Sequence, residues 1–418
     1  MKMIIPKIIQ DQKVVVPGSK SISHRMLICA SLCSGISQIE NLLESEDIKW
    51  TMNALASFGA EIEKINTACV RVRGFGGAPH PCEKEIYLGN SGTSMRLLAG
   101  IAALGTTEYV LTGDRRMCER PMTELLDALR HLGIHAVSPG GKGTPPVRIC
   151  GGRRQGGKVS LDCSKSSQYL SSLLMAGAFM TEGLDISLEG PPVSSPYIDL
   201  TLDIMKKFQV AAHCIHSRLY RVPGQQPYSP GEFFVEPDLS NAGYFWALGA
   251  ITGRMISVKN ISRNSLQGDL KQVGILEQMG CTVKIEENEI GVCGKELTGI
   301  DIDMSDTPDA VPAIAVVAAF ARGKTRITNI RHLREKECDR IDAVSSQLLK
   351  MRISVTQGED FLEIIGGSPQ GARIETFNDH RIAMAFSIPG LIIPGMEIEN
   401  ETCVEKSFPN YWDIFDAL

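Results

Sequence analysis

NSGTSMRLLAGIAALG, residues 90–105, joins a cluster of small polar residues to an apolar helix that ends at a glycine. The same order (polar cluster, helix rich in small residues, glycine, short strand) occurs six times. The closing glycines recur every 70 to 78 residues, at Gly35, Gly105, Gly183, Gly253, Gly323 and Gly395. The polar clusters occupy residues 19–21, 90–93, 164–168, 238–240, 306–309 and 378–381. Because helix N-termini carry free N–H groups and a positive dipole end, the repeat predicts a site for an anionic ligand.

A second helix-to-strand unit alternates with the first, and its helices end near positions 59, 133, 209, 280 and 352. Three of these positions are glycines, which are typical of a left-handed helix C-terminal cap. Alternating apolar residues then predict half-buried strands. Each repeat therefore reads as a β-α-β-α module, and such periodicity decides the fold class. We predict an α/β protein of two pseudo-symmetric three-repeat domains, with an open solenoid as the alternative.

The domain boundaries follow from chain length and from breaks in the repeat. At 418 residues the chain is too long for one ordinary core. A segment rich in Gly, Pro and Gln, residues 223–231, separates the third repeat from the fourth. The sixth repeat is incomplete, and we expect strands near residues 3–5 and 14–16 to pair within the C-terminal domain. The predicted domains are residues 18–236 and residues 1–17 with 237–418.

Composition excludes several classes of protein. Hydrophobic residues make up 43% of the chain and charged residues 22%, values typical of a globular protein. The net charge of −5 does not favour non-specific binding to nucleic acid. The longest apolar run, residues 310–321, is too short to span a bilayer and contains Pro312. Twelve cysteines without zinc-binding spacing indicate reduced thiols in the cytoplasm.

Each polar cluster also has an ordinary structural interpretation. Residues 16–25 could be a capped helix with solvated charges, although Lys20 and Arg25 beside free N–H groups also suit a phosphate or carboxylate. The arginines in residues 114–120 are equally consistent with a solvated face and with a fixed guanidinium. Residues 334–340 read by default as an exposed helix with i,i+4 ion pairs.

The equivalent positions of these clusters in successive repeats favour the functional interpretation. The candidate cations are Lys20, Arg120, Arg340, Arg381 and Lys406. If they gather at one cleft, they would bind a ligand with several negative charges. Lys20, Asp309 and Glu337 are the candidate proton carriers, provided that mutual contact shifts their pKa values.

Seven short motifs, in order, resemble the enolpyruvyl transferases of the 3-phosphoshikimate 1-carboxyvinyltransferase (EPSP synthase) family along nearly the whole chain. They are residues 17–21, 88–93, 119–121, 166–168, 308–310, 336–340 and 378–381. The resemblance implies two domains of three βαβαββ units each, in an inside-out α/β barrel, closing over the substrates. It also implies transfer of the enolpyruvyl group of phosphoenolpyruvate to the 5-hydroxyl of shikimate 3-phosphate, in aromatic amino-acid biosynthesis. The resemblance further implies that a tetrahedral intermediate forms, that phosphate leaves, and that no metal or organic cofactor is required.

The resemblance also implies residue roles. The implied catalytic residues are Lys20, Asp309 and Glu337. Shikimate 3-phosphate would contact Lys20, Ser21, Arg25, Ser166, Ser167, Gln168, Ser194, Asp309 and Lys336. Phosphoenolpyruvate would contact Lys20, Asn90, Gly92, Arg120, Gln168, Arg340, His380, Arg381 and Lys406. Gly92 leaves room for a phosphoenolpyruvate-sized inhibitor such as glyphosate. The expected protein is a cytoplasmic monomer that binds neither nucleic acid nor membrane.

Five positions depart from the family pattern, namely Leu97, Pro237, His332, Glu335 and Cys338. None of them removes a charged catalytic residue. Two rival functions remain at this point. One is the related transfer to UDP-N-acetylglucosamine, which typically uses a reactive cysteine in a Gly-rich loop, whereas Cys118 has a different context. The other is a non-catalytic ligand-binding paralogue.

Overall fold

The computed structural model describes residues 1–152 and 154–418, which divide into two compact units. The N-terminal unit is Gly18–Val235, and the C-terminal unit is Met1–Pro17 with Glu236–Leu418. The α-helices are α1 Lys20–Leu32, α2 Glu46–Ser57, α3 Gly92–Ala102, α4 Thr123–His131, α5 Gln168–Gly177, α6 Pro196–Lys207, α7 Leu239–Thr252, α8 Lys271–Gln278, α9 Val311–Ala318, α10 Arg340–Lys350, α11 His380–Ser387 and α12 Tyr411–Asp416.

Short strands alternate with these helices. They are β1 Lys2–Ile4, β2 Gln12–Val14, β3 Ile36–Glu40, β4 Glu61–Asn66, β5 Cys69–Arg73, β6 Ile86–Tyr87, β7 Glu108–Thr112, β8 His135–Val137, β9 Val147–Cys150, β10 Gly157–Leu161, β11 Leu184–Leu188, β12 His213–His216, β13 Leu219–Val222, β14 Glu232–Phe234, β15 Ile256–Lys259, β16 Thr282–Ile285, β17 Glu289–Cys293, β18 Asp301–Asp303, β19 Lys324–Thr328, β20 Ser354–Gln357, β21 Leu362–Ile365, β22 Arg373–Ile374 and β23 Met396–Ile398. Turns of 3-10 helix cover Met117–Glu119, Gly268–Leu270, Pro308–Ala310, Arg331–Glu335, Ile388–Leu391 and Glu401–Lys406.

The N-terminal unit contains three four-stranded sheets of one design. Their strand orders are β14-β3-β5-β4, β6-β7-β9-β8 and β10-β11-β13-β12. In each sheet the first two strands are parallel and the remaining pairs are antiparallel. The first sheet takes its outer parallel strand, β14, from the end of the unit rather than its beginning.

The C-terminal unit repeats the design with strands from the start of the chain. Its sheets have the orders β16-β17-β15-β2, β18-β19-β21-β20 and β1-β23-β22. The N-terminal strands thus pair within this unit, β1 antiparallel to β23 and β2 parallel to β15. The structure differs from expectation in detail, because β2 covers Gln12–Val14 and completes the fourth repeat, while β1 alone joins the sixth.

Each unit has its own hydrophobic core, built around the first helix of each repeat. In α1, α3 and α5 every residue is buried except one, and that residue lies in the first turn: Ser21, Thr93 and Gln168. All residues of α9 and α11 are buried. A helix that is buried all round can meet polar surroundings only at its ends, so the repeat fixes where chemistry is possible. None of the helices in the described ranges has the length and apolar composition needed to cross a bilayer.

In five repeats, a residue with left-handed backbone follows the end of the second helix. Gly59, Gly133 and Gly280 have φ of 102°, 78° and 102°, as their residue type predicts. Gln209 and Arg352 occupy the equivalent positions with φ of 62° and 64°. Because an L-residue there crowds its own Cβ against the backbone, these two positions carry strain that the glycines avoid.

Replacing Arg352 by glycine should stabilise the protein. Relief of the left-handed strain, about 1–2 kcal/mol, exceeds the extra backbone entropy of glycine, about 0.5–1 kcal/mol. We therefore expect the thermal unfolding midpoint of Arg352→Gly, followed by circular dichroism, to rise. Arg352→Ala is the matched control, since it removes the same exposed side chain but keeps Cβ. Equal midpoints for the two variants would contradict the argument.

Candidate active site

A buried guanidinium at the start of α10 organises the site residues of the C-terminal unit. The Arg340 side chain is 1% exposed. Its Nε donates to Asp379 Oδ2 at 2.7 Å, one Nη donates to Asp309 Oδ1 at 2.8 Å, and the other donates to Glu337 Oε2 at 2.8 Å. These carboxylates raise the pKa of Arg340 above its usual value despite the opposing effect of burial.

Asp309 connects Arg340 to a second arginine. It lies in the 3-10 turn Pro308–Ala310 that leads into α9, and its Oδ2 accepts from Arg381 Nη2 at 2.7 Å. The other terminal nitrogen of Arg381 lies 3.3 Å from the hydroxyl of Tyr244 on α7. The first turns of α9, α10 and α11 therefore meet at one cluster of two guanidiniums and three carboxylates, which we call the arginine–carboxylate cluster: Asp309, Glu337, Arg340, Asp379 and Arg381.

The charge run at residues 334–340 is not an exposed helix, so the default interpretation was wrong. Its first residues finish the 3-10 helix Arg331–Glu335, and Lys336 is extended. Asp339 caps α10 by accepting from the backbone N–H groups of Ile341 and Asp342. This break turns Glu337 and Arg340 inward, while Arg334 pairs with Asp339 at 2.5 Å. Lys336 is half-buried.

Two histidines lie in the C-terminal unit. His380 is wholly buried, with Nδ1 3.7 Å from Asp379 Oδ1. His332 is 4% exposed, and burial together with the charge of Lys336 lowers its pKa to about 3. His332 is thus neutral at physiological pH. Lys406 is also buried, at 6% exposure, at the end of the 3-10 helix Glu401–Lys406.

Cys338 lies against the same cluster. Its Sγ is 3.5 Å from Asp379 Oδ2, and burial raises the pKa of its thiol well above the usual value. A thiol of this kind stays protonated and can donate to the carboxylate. Cys338, one of the departures from the family pattern, therefore supplies a hydrogen-bond donor to the cluster.

In the N-terminal unit, α1 begins with an ion pair. Lys20 is 8% exposed, and its Nζ lies 3.3 Å from Asp47 Oδ2 in the first turn of α2. The buried carboxylate fixes the position of the ammonium at the start of α1 and compensates part of its charge. Sequence reasoning identified Lys20 but missed Asp47.

Arg25, one turn further along α1, is 1% exposed and is held by uncharged groups. Its guanidinium donates to the hydroxyls of Thr201 and Ser171 at 2.7 and 3.3 Å, and to the carbonyls of Ser21 and Tyr197 at 3.0 and 3.3 Å. Burial lowers the pKa of Arg25 to about 10, so it remains charged at neutral pH. These dipoles fix the guanidinium without neutralising it.

The start of α3 packs against Arg120. Arg120 is 3% exposed, and one Nη lies 3.3 Å from both the carbonyl and the side-chain oxygen of Asn90. A Cβ built on Gly92 would approach the same guanidinium to 2.5 Å. The two interpretations of the arginines in residues 114–120 therefore apply to different residues. Arg115 and Arg116 form ion pairs with Glu119 at the surface, whereas Arg120 is buried and fixed.

The start of α5 carries the polar groups of the third repeat. Ser166 and Ser167 are buried, at 9% and 3% exposure. Gln168 accepts from Arg96 at 3.0 Å and donates to Thr93 Oγ1 at 3.0 Å, so its amide orientation is fixed. Ser194, ahead of α6, is 5% exposed and has the left-handed φ of 55°.

Within the C-terminal unit the structure brings Asp309, Glu337, Arg340 and Arg381 into direct contact. In the N-terminal unit it places Asn90 and Gly92 against Arg120, while Lys20, Arg25 and Gln168 are each held by supporting residues. It adds supporting residues that sequence reasoning did not identify: Asp47, Arg96, Tyr244, Thr201 and Asp379 as the hub of Arg340. Asp379 lies in the motif at residues 378–381, but no local sequence pattern distinguishes a carboxylate that caps a helix from one that also binds an arginine. The arrangement presents fixed cations to anionic ligands and carboxylates to transferable protons.

Comparison with known proteins agrees with this geometry. The sequence profile of EPSP synthase (3-phosphoshikimate 1-carboxyvinyltransferase) matches residues 7–415. The chain is 40% identical over 410 residues to the 3-phosphoshikimate 1-carboxyvinyltransferase of Marinomonas sp. (strain MWYL1), with 97% of this chain and 96% of that protein covered. The enzyme of that name from Xenorhabdus nematophila is 42% identical over 406 residues, with 96% and 95% covered.

A solved structure of EPSP synthase from Acinetobacter baumannii is 31% identical to this chain, with a TM-score of 0.83, and 99% of this chain and 97% of that one are covered. This similarity confirms the predicted two-domain α/β fold of repeated units. The chain therefore belongs to the EPSP synthase (3-phosphoshikimate 1-carboxyvinyltransferase) family.

Proposed function

We propose that this protein transfers the enolpyruvyl group of phosphoenolpyruvate to the 5-hydroxyl of shikimate 3-phosphate and releases phosphate. Besides family membership, one observation supports the proposal most. Two buried guanidiniums, those of Arg340 and Arg381, meet at a single carboxylate, Asp309, directly beside Glu337. Donors arranged to hold one carboxylate can hold that of phosphoenolpyruvate in the same way.

For phosphoenolpyruvate, we assign the carboxylate to Arg340 and Arg381. Its phosphate is assigned to Lys20, Arg120, Gln168 and Lys406, and further contacts with the substrate are assigned to Asn90, Gly92 and His380. The fixed orientations of Arg120 and Gln168 support this assignment, since preorganised donors lose little entropy when they bind charge.

For shikimate 3-phosphate, we assign the carboxylate to Ser21 and Arg25, whose positive charge its hydroxyl and carbonyl partners leave unneutralised. Its phosphate is assigned to Lys336 and to the start of α5 with the turn before α6: Ser166, Ser167, Gln168 and Ser194. The positive dipole end at the start of α5 adds to this anion site. Asp309 accepts from the ring hydroxyls.

The reaction then needs two proton transfers in the addition step and two in the elimination step. Glu337 gives a proton to the methylene carbon of phosphoenolpyruvate, and the 5-hydroxyl oxygen bonds to C2 as its own proton passes to Asp309 or Lys20. The tetrahedral intermediate next loses a methyl proton to Glu337, the bond from C2 to the phosphate oxygen breaks, and the departing phosphate oxygen takes the proton held by Asp309 or Lys20, which restores the starting protonation states. Arg340, bonded to both Glu337 and Asp309, couples the two carboxylates that carry the protons.

Phosphate release from phosphoenolpyruvate tests the proposal. Purified protein should release phosphate only when shikimate 3-phosphate is present, and Glu337→Gln should lower kcat at least about 100-fold because its amide cannot carry the proton. Glu337→Gln should still bind shikimate 3-phosphate in calorimetry. Release with UDP-N-acetylglucosamine instead would favour the related transferase, and binding without release would favour a non-catalytic paralogue.

Gly92→Ala should weaken the binding of phosphoenolpyruvate and leave that of shikimate 3-phosphate nearly unchanged. The new Cβ would lie 2.5 Å from the Arg120 guanidinium, which must move away from the proposed phosphate position. Loss of one charge-assisted hydrogen bond, about 1.5–3 kcal/mol, should raise KM for phosphoenolpyruvate about tenfold or more and leave KM for shikimate 3-phosphate within about twofold. Gly140→Ala is the control, since its Cβ would meet nothing within 4 Å. A change in KM that is confined to shikimate 3-phosphate would refute the assignment.

We also propose that the protein acts as a cytoplasmic monomer. All twelve cysteines are free, which suits a reducing compartment. Strands β1, β2 and β14 complete their sheets within the same chain, so no second copy is needed to pair them. Sedimentation equilibrium should give a mass near 45.5 kDa, and a mass twice as large would refute the monomer.

A further inference from the structure

Asp269 is a buried carboxyl group that the proposed mechanism does not use. It lies in the 3-10 helix Gly268–Leu270 of the C-terminal unit and is 4% exposed. Its Oδ2 accepts from the hydroxyl of Ser240, at the start of α7, at 2.5 Å. A buried acid of this kind is costly to ionise, so its position requires an explanation.

The partners of Asp269 lead to the arginine–carboxylate cluster. Ser240 and Tyr244 are four residues apart on α7 and therefore lie on the same face of the helix. Ser240 donates to Asp269, and one turn later Tyr244 contacts Arg381, which binds Asp309. Asp269 and the Arg381–Asp309 pair thus pack against one face of α7.

The charged groups around Asp269 have opposite effects on the pKa of its carboxyl group. Burial raises the pKa of Asp269 to about 7, the negative charges of Asp309 and Asp238 add to this effect, and Arg381 and the Ser240 hydroxyl oppose it. On the adjoining α8, the ammonium of Lys271 forms an ion pair with Asp306 at 2.7 Å. Asp269 therefore changes charge in the neutral pH range.

We propose that Asp269 is a positioning residue whose negative charge holds Arg381 and makes Asp309 a stronger proton acceptor. The proposal rests on the function proposed above. When ionised, Asp269 attracts the Arg381 guanidinium and repels the negative charge of Asp309, which favours proton uptake by Asp309. When protonated, Asp269 exerts neither effect, so turnover depends on its charge.

Asp269→Asn tests the proposal, because asparagine retains an acceptor for Ser240 and is permanently neutral. We expect kcat of the wild type, followed by phosphate release, to increase through about pH 7, since Asp269 loses its proton there. Asp269→Asn should lack this inflection and be slower about three- to tenfold at pH 8, because one unit of proton affinity corresponds to a factor of ten. Asp301→Asn, an exposed carboxyl group in the same unit, should retain the wild-type profile.

A second variant distinguishes positioning from a merely structural role. Ser240→Ala removes a hydrogen bond that favours the ionised carboxylate, so its inflection should move to higher pH rather than disappear. Asp269→Glu should restore part of the pH dependence. An Asp269→Asn enzyme that keeps the wild-type inflection refutes this inference alone, while a wild type without release dependent on shikimate 3-phosphate refutes the proposed function and this inference with it.

Stability provides a readout independent of activity. The pKa of Asp269 is higher in the folded chain than its usual value of 3.8, so the folded state binds more protons between about pH 4 and pH 7. This group's stabilisation is complete below pH 3.8 and is lost as pH rises through about 7. Asp269→Asn should therefore be less destabilised by rising pH than the wild type in urea unfolding, and an identical slope would show that Asp269 does not titrate there.

Discussion

Two sheets are completed, near the two chain crossings, by strands that are distant in sequence, and this pairing is the constraint on which the rest of the structure depends. The chain leaves the C-terminal unit after Pro17 and returns to it at Glu236. The first sheet of the N-terminal unit is completed by β14, and the fourth repeat is completed by β2. Each sheet thereby gains its parallel outer strand, and backbone groups that would form an unpaired edge are hydrogen bonded. The N-terminal unit forms its three sheets within the continuous stretch Gly18–Val235, whereas the C-terminal unit needs segments from both ends of the chain.

Complete sheets allow the first helix of each repeat to be buried on all sides. Such a helix has no solvent face, so its half-buried polar residue lies at its start, and polar residues further along, such as Arg25, are held by hydrogen bonds inside the protein. In α1, α3 and α5 the single half-buried residue lies in the first turn. The repeat therefore concentrates chemistry at helix starts as a consequence of packing, and each unit gathers its polar groups at one end of its inner helices.

The two units hold their buried arginines by different means. Arg340 binds three carboxylates, whereas Arg25 binds two hydroxyls and two carbonyls. The first arrangement compensates charge and links groups that can exchange protons. The second fixes a guanidinium and leaves its charge for an anion, at the cost of a lowered pKa. The cluster in the C-terminal unit thus links groups that can exchange protons, while Arg25 in the N-terminal unit keeps its charge for an anion.

The sequence by itself determined the repeat and the positions of the helix starts, because these depend on local periodicity and on side chains a few residues apart. Ser91, Asp238 and Asp379 cap helices that begin at the predicted clusters. Tertiary structure alone decided the pairing of Lys20 with Asp47, the hydrogen bond from Arg96 to Gln168, and the pairing of β2 with β15 and of β14 with β3. Those partners are 27 to more than 200 residues apart in the chain, and their contact follows from how the sheets close, which no local pattern encodes.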